Sequence, residues 1–166
     1  ASARQIKCAT NVRQIVIALV TFANNNKDMY PQPSRLDMNN ATIPGGKGAE
    51  AAAKDTTGNI LSVLIFNASI SPEVCVSPAE ASSKIKVDAG YQVDKPSGAA
   101  KPEMALWDPK FAGTPEQAGA RVEGEGNNSY AHAVPMGDRA SVWSSTFNST
   151  EAVFGNRGPG YQLSAA

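Results

Sequence analysis

Charge is scarce in this 166-residue sequence and favours neither sign: 15 Lys and Arg stand against 15 Asp and Glu, together 18% of the chain. Without a net charge at neutral pH no overall field draws the protein to a polyanion, so a nucleic-acid partner is not expected. Histidine occurs once, as His132. One imidazole cannot build a His-rich metal centre, and the Gly-X-Ser-X-Gly nucleophile pattern is missing. The chain therefore reads as non-enzymatic, with no catalytic, cofactor-binding or metal residue assigned and His132 taken as a structural strand residue. Cysteine occurs twice, as Cys8 and Cys75, without the Cys-X-X-Cys spacing of redox or zinc sites. The pair forms one disulfide, restricting the unfolded chain by roughly 4 kcal/mol through so long a loop, or stays as two buried thiols. No uninterrupted apolar run reaches the roughly 18 to 20 residues that cross a bilayer, so the chain taken alone is expected to be soluble.

What is abundant is punctuation. Eleven prolines and 14 glycines, with many small polar residues, predict a loop-rich single domain over 1–166, long enough to bury a core. Such a composition suits a secreted or surface-displayed protein.

The first 33 residues hold the strongest pattern. Cys8, Val12, Val16, Leu19 and Ala23 fall on one stripe at helical spacing, and Ile15, Leu19 and Phe22 widen it. The spacing predicts a helix of about six turns within 1–28, its core face made by Val12, Ile15, Val16, Leu19 and Phe22. Arg4, Lys7, Asn11 and Arg13 then lie on the opposite face, free for subunit contacts. The run Asn24-Asn25-Asn26-Lys27-Asp28 stops the helix.

Residues 29–126 predict a helix-and-loop region. Prolines and Gly45-Gly46-Lys47-Gly48 make 31–54 an extended surface loop, and that glycine run lacks the strand and hydroxyl residue of a phosphate loop. Asp55 to Asn59 offer caps to a short helix with a buried face through Ile60, Leu61, Val63, Leu64 and Ile65, ending near Asn67. Ile70 to Pro78 follow as an extended segment. Trp107 and Phe111 predict a small satellite cluster over a loop, with a sugar-stacking platform as the functional alternative for Trp107. Asp108, Glu123, Glu125 and Asp138 are the one set that could gather around calcium.

Residues 127–166 predict an antiparallel sheet. Ser129 to Val134 alternate, and Ala140 to Phe147 and Ala152 to Phe154 give two further strands, separated by turns at 135–138 and 148–151. Three strands against one long helix make a two-layer α+β domain. Asn-X-Ser/Thr acceptor patterns occur at Asn40, Asn67, Asn127 and Asn148.

Several of these stretches carry a resemblance. Ala3-Arg4-Gln5-Ile6-Lys7-Cys8, Asn11-Val12-Arg13-Gln14-Ile15 and the closing Tyr30-Pro31 resemble pseudopilin-like, or type IV pilin-like, proteins with a prepilin-type N-terminus, general secretion pathway G-like and abundant in planctomycete-type bacteria. Ser71-Pro72-Glu73 with Cys75 and Ser77-Pro78, and the stretch from Leu106 to Phe111 with Thr114-Pro115, are similar to two further landmarks. The resemblance implies a pilin-like fold, with Cys75 beside the base of the first helix. It also implies an apolar segment upstream of Ala1 that anchors in the inner membrane and later packs in a filament with other pilin-like subunits. A periplasmic or cell-surface location follows. The sequence reaches Ala166 without the His and Asp-Gly pair of the family's C-terminal region, which implies truncation or divergence there, and no ligand role is carried over from it. The competing expectation is a secreted surface module that binds carbohydrate or protein through the loops around Trp107 or Gly124 to Asn128.

Overall fold

The computed structural model describes residues 2–45, 49–133, 143–146 and 152–157. Its first element is a helix, Ala3–Asn24 (α1), six turns long as the spacing predicts. The Ser2 hydroxyl accepts from the Gln5 amide while the Gln5 side chain accepts from the Ser2 amide. This reciprocal cap satisfies two donors that the first turn would leave open. At the other end Asn25 and Asn26 donate their side-chain amides to the carbonyls of Thr21 and Phe22. Lys27 and Asp28 then turn left-handed, at φ 55° and 60°, which no continuing right-handed helix allows.

The buried band of α1 is rotated from its expected centre. Cys8, Asn11, Ile15, Ala18, Leu19 and Ala23 are buried, whereas Val12, Val16 and Phe22 lie only partly buried along its edge. Ile15 and Leu19 thus hold the core as expected. Asn11, expected on the outer face, is instead buried. Its carboxamide donates 3.3 Å to the carbonyl of Val76, and this partner makes burial of a polar group tolerable.

Among the described residues three further α-helices follow: Pro33–Leu36 (α2), Ala49–Ala52 (α3) and Thr57–Phe66 (α4). The Thr56 hydroxyl caps α4 by accepting from the Asn59 amide at 3.1 Å. Every residue from Gly58 to Ile65 is buried, so α4 is not a helix with one buried face but the centre of the domain. A helix buried all round, its Asn59 and Ser62 included, requires neighbours on all sides; α1, α2 and the sheet supply part of the enclosure, and loop 107–113 supplies more. Gly58 meets that loop so closely that a Cβ would lie 2.7 Å from the backbone nitrogen of Gly113. Removing Ile60, Leu61, Val63, Leu64 and Ile65 from water contributes on the order of 10 kcal/mol before entropy is counted.

The stretch 31–54 does not run over the surface as an extended loop. It folds around the buried Asp37, whose carboxylate accepts from the amides of Ala41, Thr42 and Ile43 at 2.7, 3.1 and 3.0 Å and pairs with a buried Lys54. Trp107 and Phe111 are likewise core residues and not a satellite cluster. Both are fully buried, and Phe111 belongs to the main core, edge-on to Tyr91 with centroids 5.9 Å apart. Arg121 closes this side by bridging the buried carboxylates of Asp88 and Asp108.

Among the described residues the sheet has two strands. Tyr130–His132 (β1) pairs antiparallel with Phe154–Asn156 (β2), Ala131 opposite Gly155, so the last strand sits two residues later than its predicted place. Both expected turns, Val134 of the first expected strand, and Ala140 to Val142 and Phe147 of the middle one lie outside the described residues. The described remainder, 143–146, joins no sheet strand. Ser144 bridges Met29 at the exit of α1, the Trp143 indole donates to the Pro31 carbonyl at 2.9 Å, and its ring meets Tyr30 edge-on. The expected extended segment at 70–78 contains a 3₁₀ turn, Pro72–Cys75, opened by its proline. The described architecture is α+β, a long N-terminal helix with a small two-stranded antiparallel sheet.

Candidate functional site

The outer face of α1 is the most distinctive surface. Residues 2–7 are exposed, and Ile6, Thr10, Arg13, Ile17 and Thr21 form one exposed stripe at helical spacing. The Thr10 and Thr21 hydroxyls bond back to the carbonyls of Ile6 and Ile17, both at 2.9 Å, which leaves the stripe less polar than its composition suggests. Ile6 is 60% and Ile17 55% exposed. Arg4, Lys7 and Arg13 flank them, with no Asp or Glu anywhere between residues 3 and 24. Contrary to the run-length expectation, α1 is long and apolar enough to cross a membrane by length and composition, with about a third of that stretch buried inside the domain.

At the far end of α1 a cleft of about 480 Å³ opens between α1, α4 and Leu106, floored by Phe22, Leu36, Val63 and Phe66 and rimmed by Asn25, Asn26 and Asn67. A neighbouring hollow of about 260 Å³ shares Phe22, Leu36, Asn25 and Asn26.

Cys8 and Cys75 are both free and buried, which excludes the disulfide in this structure. The expected neighbourhood does form, since the 3₁₀ turn that carries Cys75 packs on α1. Cys8 is held by a different partner, donating 3.2 Å to the Asn156 carboxamide oxygen beside the Tyr130 hydroxyl. Burial pushes the Cys8 thiol up, but hydrogen bonding with Ser77, Asn156 and Tyr130 outweighs it and leaves the thiol below its ordinary value. Burial, reinforced by the charge of Glu73, pushes Cys75 far up, and that makes it an inert core thiol.

Family models, curated proteins and solved structures offer no match to this chain.

The remaining expected site residues are dispersed. Trp107 has no exposed surface, which removes the sugar-stacking platform. Asp108 is equally buried and engaged by Arg121 and by the amides of Gln92 and Lys110. Glu125 pairs with Lys86, Glu123 points to solvent, and Asp138 lies outside the described residues. The calcium set is therefore not assembled, and among the described residues no cluster of three or more His, Cys, Asp or Glu could hold a metal. His132 shares a 2.8 Å hydrogen bond between its Nδ1 and the Thr57 hydroxyl and packs edge-on to Trp143. Burial lowers its pKa, with Asp55 opposing. Its Nε2 is buried without a hydrogen-bond partner among the described residues, and the Thr57 contact ties β1 to the start of α4.

The acceptor asparagines divide by burial. Asn127, in the loop offered as a binding surface, is 7% exposed, and its carboxamide is committed to Ala112 and Lys86. It is closed to modification in the folded chain. Asn67 is exposed, Asn40 is half-buried against Lys54, and Asn148 lies outside the described residues. Sequence reasoning missed Asp37, Lys54 and Arg121 altogether. No local pattern marks them, because their partners are set by the fold.

Proposed function

We propose that this chain is the globular part of a pilin-like or pseudopilin-like subunit of a type IV pilus-like or type II secretion pseudopilus-like filament. In this reading it is a structural and non-enzymatic part, periplasmic or at the cell surface. The observation that carries the reading is the outer face of α1. Residues 2–7 at its start are exposed, and two isoleucines on one stripe are more than half exposed. Each such side chain would gain about 1 to 2 kcal/mol on covering its remaining exposed area, which neighbouring subunits or a bilayer would supply. The other side of the same helix is fixed in the core by Ile15 and Leu19, so the outer face is presented rigidly. The sequence resemblance supplies the expected partners, other pilin-like subunits and an inner membrane reached through an upstream apolar segment.

The deciding experiment expresses the complete precursor with Ile6→Glu and Ile17→Glu together. Filament formation should be lost while the far-UV spectrum and melting of the globular part stay unchanged. Unimpaired filaments would overturn the reading. A second reading, a surface binding module, is favoured by the cleft over Phe22 and Phe66, whose apolar floor and asparagine rim suit a sugar face and its hydroxyls. Retention on a polysaccharide column, abolished by Phe66→Ala, would support it over assembly.

A further inference from the structure

We propose that Lys54 and Asn40 become joined by an intramolecular amide bond that the protein forms on its own, with Asp37 carrying the proton. The Lys54 ammonium is 3% exposed and the Asp37 side chain 1%. The Lys54 nitrogen lies 2.6 Å from the Asn40 side-chain oxygen, 3.0 Å from Asp37 Oδ2 and 2.8 Å from the Asp37 backbone carbonyl. The carbonyl carbon of Asn40 is one bond, about 1.2 Å, beyond that oxygen. An amine, a carboxamide and a carboxylate thus meet in a single enclosed site.

The surrounding chain holds them there. Asn40 adopts a left-handed backbone conformation, φ 53°, in a turn whose amides wrap the Asp37 carboxylate, and its own amide donates to the Asp37 carbonyl at 3.2 Å. Gly45 lies over the lysine so closely that a Cβ would stand 2.6 Å from Lys54 Cε, and this keeps water from the amine. Groups held in contact in this way react as if at very high concentration. Burial pushes the Asp37 carboxyl up, but the amides of Ile43 and Thr42, then Lys54 and the amide of Ala41, outweigh it and hold the group below its usual value. The proton acceptor therefore starts ionised. A base of this kind makes the step slow, which a reaction needed once per molecule tolerates.

The step balances without an outside reagent. A proton passes from the Lys54 ammonium to Asp37 Oδ2, and the freed lone pair attacks Asn40 Cγ to form the Cγ–Nζ bond. Asp37 returns the proton to Asn40 Nδ2 as the Cγ–Nδ2 bond breaks. A second proton from Nζ leaves with the released ammonia as ammonium, so the charges are equal on both sides. The product is a neutral amide that locks the 40–54 loop. It consumes the carboxamide of the Asn40-Ala41-Thr42 acceptor, so bond and glycan exclude each other.

The intact mass of the full unmutated chain decides the matter and requires no variant to fold. It should be lower than the sequence mass by one ammonia, about 17 Da, and trypsin of the denatured protein should leave one branched fragment that joins the peptides of Asn40 and Lys54. The deficit should vanish in Lys54→Arg, which keeps the cation but not the nucleophile. A sequence-mass protein that trypsin cuts after Lys54, a glycan on Asn40, or a deficit that survives Asn40→Ala would each overturn the proposal.

Discussion

Replacing Arg121 with alanine tests whether the 85–126 loops are held by a buried ionic bridge. Arg121 Nε donates to Asp88 Oδ1 at 2.7 Å and a terminal nitrogen donates to Asp108 Oδ2. The acceptor side chains are 2% and 0% exposed. Truncation would leave two buried carboxylates without a counter-charge, a class of change that costs about 3 to 5 kcal/mol. Two features reduce the figure. The arginine is itself 21% exposed, so water can follow its removal, and Asp108 retains the amides of Gln92 and Lys110 while Asp88 retains that of Gly90. A loss of roughly 2.5 kcal/mol remains, equivalent to about 5 to 10 °C in melting temperature for a domain of this size. Urea unfolding followed by the fluorescence of the buried Trp107, adjacent to Asp108, measures it directly. Arg121→Lys should fall between the two, because one ammonium cannot span both acceptors in the arginine's fork. A loss below about 0.5 kcal/mol, within the range of surface pairs, would show that the bridge is screened and refute the reasoning.

Leu64→Ala, at a fully buried position of α4, should cost about 2 to 5 kcal/mol, read as a lower urea midpoint at unchanged slope; a cost under 1 kcal/mol would mean the helix is not the centre. Asn127→Ala should destabilise by about 1 to 3 kcal/mol by orphaning its two backbone partners, and expression in a glycosylating host should leave Asn127 unoccupied by mass. His132 is a base whose folded pKa lies below its ordinary value of 6.5. Its contribution is fully present above that value and is lost as pH falls through it toward the lower folded pKa; melting measured between pH 7.5 and 5 should show the loss, with a flatter profile in His132→Gln, and parallel profiles would refute the assignment.

Local signals mark α1 and α4 but not the short α2 and α3, and they place β1 and, two residues early, β2. The asparagine run that ends α1 and the Thr56 cap of α4 act within a few residues of where they stand, so they are visible in sequence. The exact buried face of α1 was not, because Asn11 is drawn inward by a carbonyl 65 positions away, and apolar periodicity assigns an asparagine to water. Trp107 reads as part of a satellite cluster over a loop because its neighbours are polar and turn-forming, yet the Asp108 beside it pairs with Arg121, so this polar stretch can join the core. The described part of the expected middle strand, 143–146, differs for a related reason. Its alternation is real, but Trp143 and Ser144 find their partners at Pro31 and Met29, on the chain leaving α1. Of the chemistry-bearing residues, Cys8 and Cys75 sit on elements that pack together but remain free thiols, whereas Asp37, Lys54 and Arg121 carry no local mark.

A domain centred on α4 has a kinetic signature of its own. The helix spans only ten residues, too short to persist alone in water, and the chain that encloses it comes from α1 at one end and from loops beyond residue 105 at the other. Little of its protection is gained until segments far apart in sequence have closed around it. High contact order of this kind slows folding, and the amides of α4 should be the last to exchange with solvent, opening only when the whole molecule does.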